Sequence, residues 1–477
     1  MPAWTRLDTA FLLVVTGAAA VVRLVGVGLP GDLVFDEIFY AQNACLRVAE
    51  PAICGLAEPL SNAHPPLGEW LIALGIAVAG YDPFGWRVAS VVAGILTVAL
   101  THVLVRAVVG DRVSGRTAAA GAAAASGLLA IDVMHLVQSR IAMLDVFLAM
   151  FVVAAFLAVT LDLRSPPRPG RGGIGSWLSG RRWRLVAGVF IGCAVAVKWS
   201  GVYSALGVVL IVVGWEVVTR ARDSDGGARG WRSAFGAALR AEGPSTAVLL
   251  GVVPLLVYLA TYIGVADGLG DVAHHQLAMA RFHAGLEGHH PYESPSWSWF
   301  LLKRPVAFWF EPSVYPQPKY VFFEHVLSMG SPLAWWPALA VFGWLAWSWV
   351  RGRRDLGTAV VLVGALSAYL PWLVVGFARS QVFMWYVLPA LPFMYAAVGI
   401  GVVRWKIWTR GALAVGLGAA LAGFLFFWPI ATAAPLTPND WRLRMWFTDC
   451  ERPGAPTLEL PHDTINRGPP PDGWCWI

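Results

Sequence analysis

The chain has 477 residues, of which 57% are hydrophobic and only 13% are charged. A soluble domain carries about 25% charged residues, so this composition excludes a soluble globule and indicates a protein solvated mainly by lipid. The formal net charge of +6 comes from a chain with 31 Arg and 4 Lys. Because most of that charge falls in short loops, it indicates membrane orientation and not nucleic-acid binding.

About eleven segments are apolar and long enough, at roughly 20 residues each, to cross a bilayer. In chain order they are 8–29, 86–109, 117–133, 141–162, 183–199, 201–219, 245–265, 333–350, 356–376, 382–402 and 412–433. The first is too long for a signal-peptide core and has no small-residue cleavage site after it, so we expect it to remain as an anchor. The sequence therefore predicts an all-α polytopic membrane protein.

The basic residues predict on which side of the membrane each loop lies. With the N-terminus in the cytoplasm, the cytoplasmic segments hold 21 of the 35 Lys and Arg, whereas the first outside loop holds only Arg47. This distribution agrees with the positive-inside rule. It predicts one membrane domain over 1–433 with long extracytoplasmic loops at 30–85 and 266–332, followed by an extracytoplasmic tail at 434–477.

Four of the five cysteines fall in segments that we predict to be extracytoplasmic. Cys45 and Cys54 lie in the first loop and Cys450 and Cys475 in the tail, while Cys193 lies inside a predicted span. Two disulfides in an oxidising compartment would account for the four. Proximity in sequence favours Cys45 with Cys54 and Cys450 with Cys475, although three pairings exist and four free thiols remain an alternative.

Two adjacent acids follow the first apolar segment in "VFDEIFYAQ" (Val34 to Gln42). One interpretation is structural, with Asp36 at the N-terminus of a short helix whose backbone N–H groups favour a carboxylate. The other is catalytic, with one carboxylate serving as a base in a substrate pocket. Adjacent helical residues point about 100° apart, so we expect Asp36 and Glu37 to have different roles.

The stretch "NAHPPLGEWLIALG" continues the first outside loop. Pro65 and Pro66 can begin a helix but cannot continue one, and the apolar run from Leu67 to Ala79 is too short to span. The pattern predicts a helix that lies in the membrane interface. His64 is a candidate substrate contact at the start of this helix, or an incidental residue there.

Charged residues at predicted outer helix ends are the next candidates, since a charge near a bilayer is costly. Arg140 and Asp145 could form an ion pair that ties helix ends together, or take part in substrate binding. Lys198 in "VAVKWSG" could extend to the interface, as long basic side chains do. A compact ammonium is also a good partner for a phosphate oxygen, and Arg379 in "FARSQVFMWY" could add a bidentate contact.

The second long loop contains "HAGLEGHHPYESPSWSWFLLKRPVAFWF", which concentrates histidines and aromatic residues. His290, Tyr292 and Trp297 are candidate substrate contacts. The neighbouring histidines, His289 among them, show no metal-binding spacing such as HExxH, so we predict no metal site. The tryptophans could form an interfacial belt or stacking walls for a sugar or peptide.

Together these motifs resemble the protein O-mannosyltransferase family, whose members have the GT-C membrane architecture. The resemblance rests on "FDE", "HPPLG", "GWRVASVVAG", "SRIAMLD", "KWSG", "HPYESPSWSW…RPVAFW" and "RLRMWF", which occur in this order along nearly the whole chain. It implies an inverting transfer of mannose from a polyprenyl-phosphate (dolichol-type) donor to a Ser or Thr hydroxyl of a translocated polypeptide. A lipid-linked donor would also explain the number of spans, since its tail needs a groove between helices.

The resemblance also implies roles for individual residues. The family's catalytic residue corresponds to Asp36, which would act as general base, with Glu37 beside it at the acceptor site. The growing charge on the leaving phosphate needs fixed cations. The candidates for the donor phosphate are Lys198, Arg140, Arg379 and Arg87.

The sequence departs from the family at Ile38, Phe39 and Glu69, where the family usually carries basic residues. These departures keep open a related GT-C enzyme that moves another polyprenyl-linked sugar onto lipid or glycan. A transporter is a further alternative, but it should have ionisable groups near mid-membrane, whereas the candidates here cluster at outer ends. Loop 266–332 is too short for the β-trefoil domain of eukaryotic members, so we expect a form from a bacterial plasma membrane.

Overall fold

The structure is a computed structural model, and it describes most of the chain. The described residues are 3–60, 63–110, 113–165, 180–222, 228–286, 290, 292–314, 321–405 and 409–446. Cys450, Cys475 and His289 lie outside these ranges, so the predictions made for them stay predictions.

The described residues form a bundle of apolar helices, and the protein is a multi-pass membrane protein. Nine helical segments are long and apolar enough to cross a membrane: Arg6–Leu24, Pro83–Val108, Asp145–Arg164, Gly201–Arg222, Gly230–Ala260, Pro332–Val350, Leu356–Phe377, Met384–Arg404 and Gly411–Ala431. Two further helices, Gly115–Ala130 and Arg182–Val197, have 16 residues each and occupy the other two predicted positions. The exact number of spans stays a prediction.

In chain order, the helices and strands divide into those of the bundle and those of the loops. The bundle contains α1 (Arg6–Leu24), α5 (Pro83–Val108), α6 (Gly115–Ala130), α8 (Asp145–Arg164), α9 (Arg182–Val197), α10 (Gly201–Arg222), α11 (Ala228–Ala247), α12 (Val253–Ala260), α14 (Pro332–Val350), α15 (Leu356–Ala378), α16 (Leu391–Arg404) and α17 (Thr409–Ala431). The loops contain α2 (Glu37–Leu46), α3 (Pro51–Cys54), α4 (Leu67–Ala79), α7 (Val133–Gln138), α13 (Leu269–Ala284), β1 (Val306–Val314), β2 (Val321–Ser328) and α18 (Pro438–Arg442). A π-helical turn at Val248–Val252 joins α11 to α12, and 3-10 turns lie at Ser296–Leu301 and Met384–Ala390.

Small residues let the central helices approach closely. A Cβ atom on Gly121 of α6 would lie 2.6 Å from the carbonyl oxygen of Gly399 on α16, and one on Gly399 would lie 2.8 Å from that of Gly121. Membrane helices without a hydrophobic driving force between them use such contacts to gain packing energy. A larger side chain at either position would push the two backbones apart.

The first long loop folds against the bundle as three short helices. The prediction of a non-spanning helix at Leu67–Ala79 is confirmed, since α4 has these bounds and 13 residues. A disulfide joins Cys45 at the end of α2 to Cys54 at the end of α3, which is the pairing that proximity favoured. The bond closes a small loop next to the acidic pair of Val34 to Gln42.

A two-stranded antiparallel sheet in the second long loop was not predicted from the sequence. Strand β1 pairs with β2 from Val306 opposite Ser328 to Val314 opposite Val321, with an irregularity between Ala307 and Trp309. The described part of the tail packs on this hairpin, because Leu436 exchanges backbone hydrogen bonds with Phe323 of β2. The tail and the second loop therefore lie at the same end of the bundle.

Candidate functional site

A cavity of about 1080 Å³ lies where the two long loops meet the bundle. Its walls come from α2, from the segment before α4, from α9, α10, α12 and α13, and from the end of α15 with the 3-10 turn at Met384–Ala390. The polar and charged side chains that line it are those of Asp36, Tyr40, His64, Lys198, Trp199, Ser200, Tyr203, Tyr258, Gln276, His283, His290, Trp372, Arg379, Gln381 and Tyr386. Residues from distant parts of the sequence thus converge on one space.

Asp36 provides the carboxylate of this cavity. It is the residue immediately before α2, but its side chain makes no capping hydrogen bond to the helix, so the purely structural interpretation is not supported. The hydroxyl of Tyr40, one turn further along, donates to Oδ2 of Asp36 at 3.4 Å. Burial raises the pKa of Asp36 to about 6, although the nearby charge of Lys198 lowers it.

The backbone before Asp36 is held in an unusual conformation. Phe35 has a φ of +49°, a left-handed value that costs a bulky residue on the order of 1–3 kcal/mol. Its ring packs edge-on against Phe308 of β1 at 5.0 Å and against Trp385 at 5.5 Å between centroids. The strained residue is therefore fixed by aromatic contacts that include the hairpin, and these contacts orient Asp36.

Glu37 does not line the cavity. This agrees with the expectation that adjacent helical residues point about 100° apart. Glu37 is fully buried and forms an ion pair with Arg87, with Oε2 2.8 Å from Nη2 and Oε1 2.9 Å from Nε. The backbone N–H groups of Val34 and Ala142 donate to the same carboxylate at 3.0 and 2.7 Å. These four bonds join the acidic loop to α5 and to the segment before α8.

Arg87 and Arg140 do not line the cavity, although the sequence suggested both for the donor phosphate. Besides Glu37, Arg87 donates to the carbonyl oxygens of Val27, Pro30 and Asp32, so its guanidinium is committed to the loop after α1. Arg140 donates to four carbonyl oxygens at the end of α1, those of Val22, Arg23, Val25 and Gly26. These contacts give both arginines a structural role.

The suggested ion pair between Arg140 and Asp145 is wrong, because Asp145 pairs with Lys198. The Lys198 ammonium lies 3.0 Å from Oδ1 and 2.9 Å from Oδ2 of Asp145. It also lies 4.3 Å from the ring centre of Tyr386, within the range of a cation–π contact. Lys198 therefore enters the cavity with its position fixed by one carboxylate and one aromatic face.

Arg379 is the second cation of the cavity. Its Nη2 donates to Nδ1 of His283 at 3.1 Å. Its Nε is buried and finds no hydrogen-bond partner among the described residues. Arg379 lines the cavity, and a guanidinium in such a place is suited to an oxyanion ligand.

The other predicted substrate contacts divide into those inside and those outside the cavity. His64 and His290 line it. Tyr292 is buried and does not line the cavity, but its backbone N–H donates to Nδ1 of His290 at 3.1 Å. Trp297 is exposed and lies outside the lining.

Glu69, one of the departures from the family pattern, also lies outside the cavity. Its carboxylate accepts from Asn43 at 3.0 Å and forms an ion pair with Arg47. The negative charge at this position is thus compensated within the first loop. It therefore provides no argument about the ligand of the cavity.

Several lining residues were missed by sequence reasoning, above all Tyr40, Tyr386 and His283. Tyr40 could have been found, since it lies four residues after Asp36 and one helical turn brings such residues together. Tyr386 and His283 meet their partners only through the tertiary fold. The described residues contain no group of three His, Cys, Asp or Glu side chains arranged to hold a metal ion.

The apolar part of the lining comes mainly from the membrane helices. It includes Val202 of α10, Leu255 of α12 and Val375 of α15, and the first two are exposed. The lining therefore combines an apolar, partly exposed wall from the membrane helices with the charged groups named above.

The amino-acid sequence matches two family models that together cover most of the chain. Residues 13–263 match dolichyl-phosphate-mannose-protein mannosyltransferase, and residues 269–450 match the C-terminal four-transmembrane region of protein-O-mannosyltransferase. A polyprenol-phosphate-mannose–protein mannosyltransferase of Mycolicibacterium smegmatis is 32% identical, with 92% of each chain covered. One of Mycobacterium tuberculosis is also 32% identical, with 91% of this chain and 90% of the relative covered.

Solved structures show the same fold at low sequence identity. The yeast (S. cerevisiae) protein O-mannosyltransferase Pmt1-Pmt2 complex, bound to the sugar donor, superposes with a TM-score of 0.71 at 14% identity, covering 93% of this chain and 92% of that one. ArnT from Cupriavidus metallidurans, bound to undecaprenyl phosphate, gives a TM-score of 0.52 at 19% identity over 87% of this chain and 64% of that one. The fold is therefore of the GT-C type.

Proposed function

Because the chain belongs to the dolichyl-phosphate-mannose-protein mannosyltransferase family, we propose that it transfers mannose from a polyprenyl-phosphate-mannose donor to Ser or Thr hydroxyls of proteins. The relatives that share 32% identity over nine-tenths of the chain carry this donor and a protein acceptor in their names. The arrangement of charges in the cavity supports the same reaction.

The observation that carries the proposal is one carboxylate facing two cations in one cavity. Among the described lining residues, Asp36 is the carboxylate, and Lys198 and Arg379 are the cations. Transfer from a phosphate ester to a hydroxyl needs a base for the nucleophile and positive charge for the leaving group. A cavity with both, beside an apolar wall, fits a lipid-linked glycosyl phosphate.

In the proposed step, Asp36 accepts the proton of the acceptor Ser or Thr hydroxyl. The oxygen of that hydroxyl attacks the anomeric carbon of mannose at the same time. The bond between that carbon and the phosphate oxygen breaks, and the electron pair leaves with polyprenyl phosphate. Attack opposite the leaving group inverts the anomeric configuration. The O-glycoside formed is neutral at its new bond, and the charge that develops on the leaving phosphate is stabilised by Lys198 and Arg379.

The apolar wall provides a path for the lipid tail. Val202, Leu255 and Val375 come from membrane helices and line the cavity, and the first two are exposed. A polyprenyl chain lying along them would stay in an environment like the bilayer core, while its phosphate reaches the cations. The tail would then contribute binding energy without taking part in the chemistry.

We place this site at the outer face of a bacterial plasma membrane, with the N-terminus in the cytoplasm. The support is the excess of Lys and Arg in the loops at the opposite end of the bundle. The Cys45–Cys54 disulfide, which joins the helix that follows Asp36 to α3, is consistent with an oxidising compartment.

The test is transfer of labelled mannose from polyprenyl-phosphate-mannose to a Ser/Thr-rich peptide by the purified protein. Wild type should label the peptide, and Asp36→Asn should lose at least a hundredfold in rate. Asp32→Asn is the matched control, because Asp32 is exposed and does not line the cavity. Full activity of Asp36→Asn would show that Asp36 is not the general base. Labelling of the peptide only from a donor with another sugar would overturn the assignment of mannose.

A further inference from the structure

His283 joins three separate parts of the molecule at the edge of the cavity. It lies at the end of α13 in the second loop, and its Nε2 is 2.9 Å from the carbonyl oxygen of Ala63 in the first loop. Its Nδ1 is 3.1 Å from Nη2 of Arg379, which follows α15. One imidazole thus bridges both long loops and a membrane helix.

The two contacts determine the protonation state of the ring. A carbonyl oxygen only accepts hydrogen bonds, so Nε2 must carry the proton that is donated to Ala63. Arg379 only donates, so Nδ1 must present its lone pair. His283 is therefore neutral with its proton on Nε2, and burial together with the charge of Arg379 keeps it so by lowering its pKa to about 4.

We propose that His283 is the positioning residue of Arg379, which it turns so that the free edge of the guanidinium meets the phosphate of the lipid-linked donor. This inference rests on the proposed function. Its support is that Arg379 lines the cavity and that, among the described residues, its guanidinium bonds to His283 through Nη2 alone.

Arg379 needs such a neighbour because no acid holds it. Lys198 is fixed by the Asp145 carboxylate, whereas no ion pair of Arg379 is found in the part of the chain that the structure describes. A neutral imidazole orients a guanidinium without neutralising it, so the full positive charge remains for the ligand. A carboxylate in place of His283 would compete with the phosphate for the same cation.

Two substitutions separate this role from a purely structural one. In His283→Asn the side-chain oxygen can take the place of Nδ1 and accept from Arg379, but the amide does not reach Ala63. In His283→Gln the terminal amide can take the place of Nε2 and donate to Ala63, but the acceptor for Arg379 is lost. If His283 positions Arg379, the Asn variant should bind the lipid phosphate more tightly than the Gln variant. If His283 only tethers the two loops, the Gln variant should bind it more tightly.

The experiment measures the affinity of the purified full-length protein for undecaprenyl monophosphate, which carries the phosphate and tail but no sugar. We expect His283→Gln to weaken binding about tenfold, as loss of one hydrogen bond to a charged group does, and His283→Asn to remain within about threefold of wild type. The KM for the donor should rise in parallel, while the KM for the acceptor peptide stays unchanged. His274→Ala, an exposed histidine on the same helix, should behave as wild type.

A double-mutant cycle with Arg379→Gln completes the test. If His283 acts through Arg379, adding His283→Gln to Arg379→Gln should weaken binding no further. Additive losses, or a Gln variant that binds better than the Asn variant, would overturn the inference. Undecaprenyl phosphate contains no mannose, so coupling between His283 and Arg379 can be observed even if the protein does not transfer mannose. Conversely, mannose transfer can be observed even if the two substitutions are additive.

Discussion

Lys198 contacts Asp145 through both carboxylate oxygens, at 3.0 and 2.9 Å, although 53 residues separate them in the chain. Both side chains are buried next to the cavity. A lysine so held loses most of the rotational freedom of its long side chain before any ligand arrives. The Lys198 side chain is thus already ordered in the folded protein, so donor binding does not lose the entropy of ordering it.

Asp145→Asn should therefore reduce both stability and donor binding. Removing one partner of a buried ion pair leaves the other charge uncompensated and costs about 3–5 kcal/mol. We expect a lower melting temperature in detergent and a rise of about tenfold or more in the KM for the donor. Both can be measured on one preparation by thermal unfolding and by the transfer assay.

The control for this prediction is Glu216→Gln, which removes the partner of Arg220 one turn away on α10. That pair is partly exposed, so its loss should cost less than about 1 kcal/mol. An Asp145→Asn variant that melts and binds like Glu216→Gln would contradict the role given to the Lys198 pair.

The pH dependence of transfer should report the ionisation of Asp36. A base acts only when deprotonated, and the pKa of Asp36 is raised to about 6 because burial disfavours its charge. Activity should therefore rise with pH, reach half its plateau near pH 6 and be about tenfold lower at pH 5 than at pH 7. The measurement is kcat/KM for the donor between pH 5 and 8.

The sign of this shift also predicts how Asp36→Asn affects folding. A carboxyl whose pKa is raised on folding binds more protons in the folded than in the unfolded state between its two pKa values, so stability falls as pH rises through that window. The neutral Asn removes this loss. We expect Asp36→Asn to be at least as stable as wild type at pH 7, and a marked drop in melting temperature would mean that its inactivity reflects misfolding.

The membrane helices and the charged groups at their ends could be predicted from the sequence because each signal is local. Lys198 and Asp36 stood out as charges beside long apolar runs, and both line the cavity. The non-spanning helix at Leu67–Ala79 followed from its length and its preceding prolines. Such patterns depend on only a few consecutive residues.

Partners that come from different helices could not be predicted in this way. Asp145 is five residues from Arg140, which made that pair the obvious choice, but the fold brings Lys198 to it instead. The bond from His283 to Ala63 joins residues 220 positions apart. The hairpin was missed because β1 and β2 are apolar stretches whose pairing depends on contacts with each other and with the tail.

Glu37→Gln distinguishes a structural role from the acceptor-binding role that the family resemblance implied. The buried carboxylate pairs with Arg87 and receives two backbone N–H bonds, so loss of its charge should cost about 3 kcal/mol. We expect a clear fall in melting temperature. Glu50→Gln, at an exposed position in the same loop, should leave it unchanged.

A contribution of Glu37 at the acceptor site would give a different result. In that case Glu37→Gln would raise the KM for the acceptor peptide while the melting temperature stayed at the wild-type value. Measuring both quantities on the same variant decides between the two roles.

The apolar wall of the cavity predicts a substitution that acts on the lipid tail alone. Leu255 and Leu256 are adjacent and similarly exposed, but only Leu255 lines the cavity. Leu255→Trp should narrow the path of the tail and raise the KM for a long-chain polyprenyl donor about tenfold, while Leu256→Trp should have little effect. A donor with a short prenyl chain should be used equally well by both variants, because its tail does not extend along the wall. If Leu255→Trp impaired both donors to the same degree, the tail would have to follow another route and the wall would serve only to pack the helices.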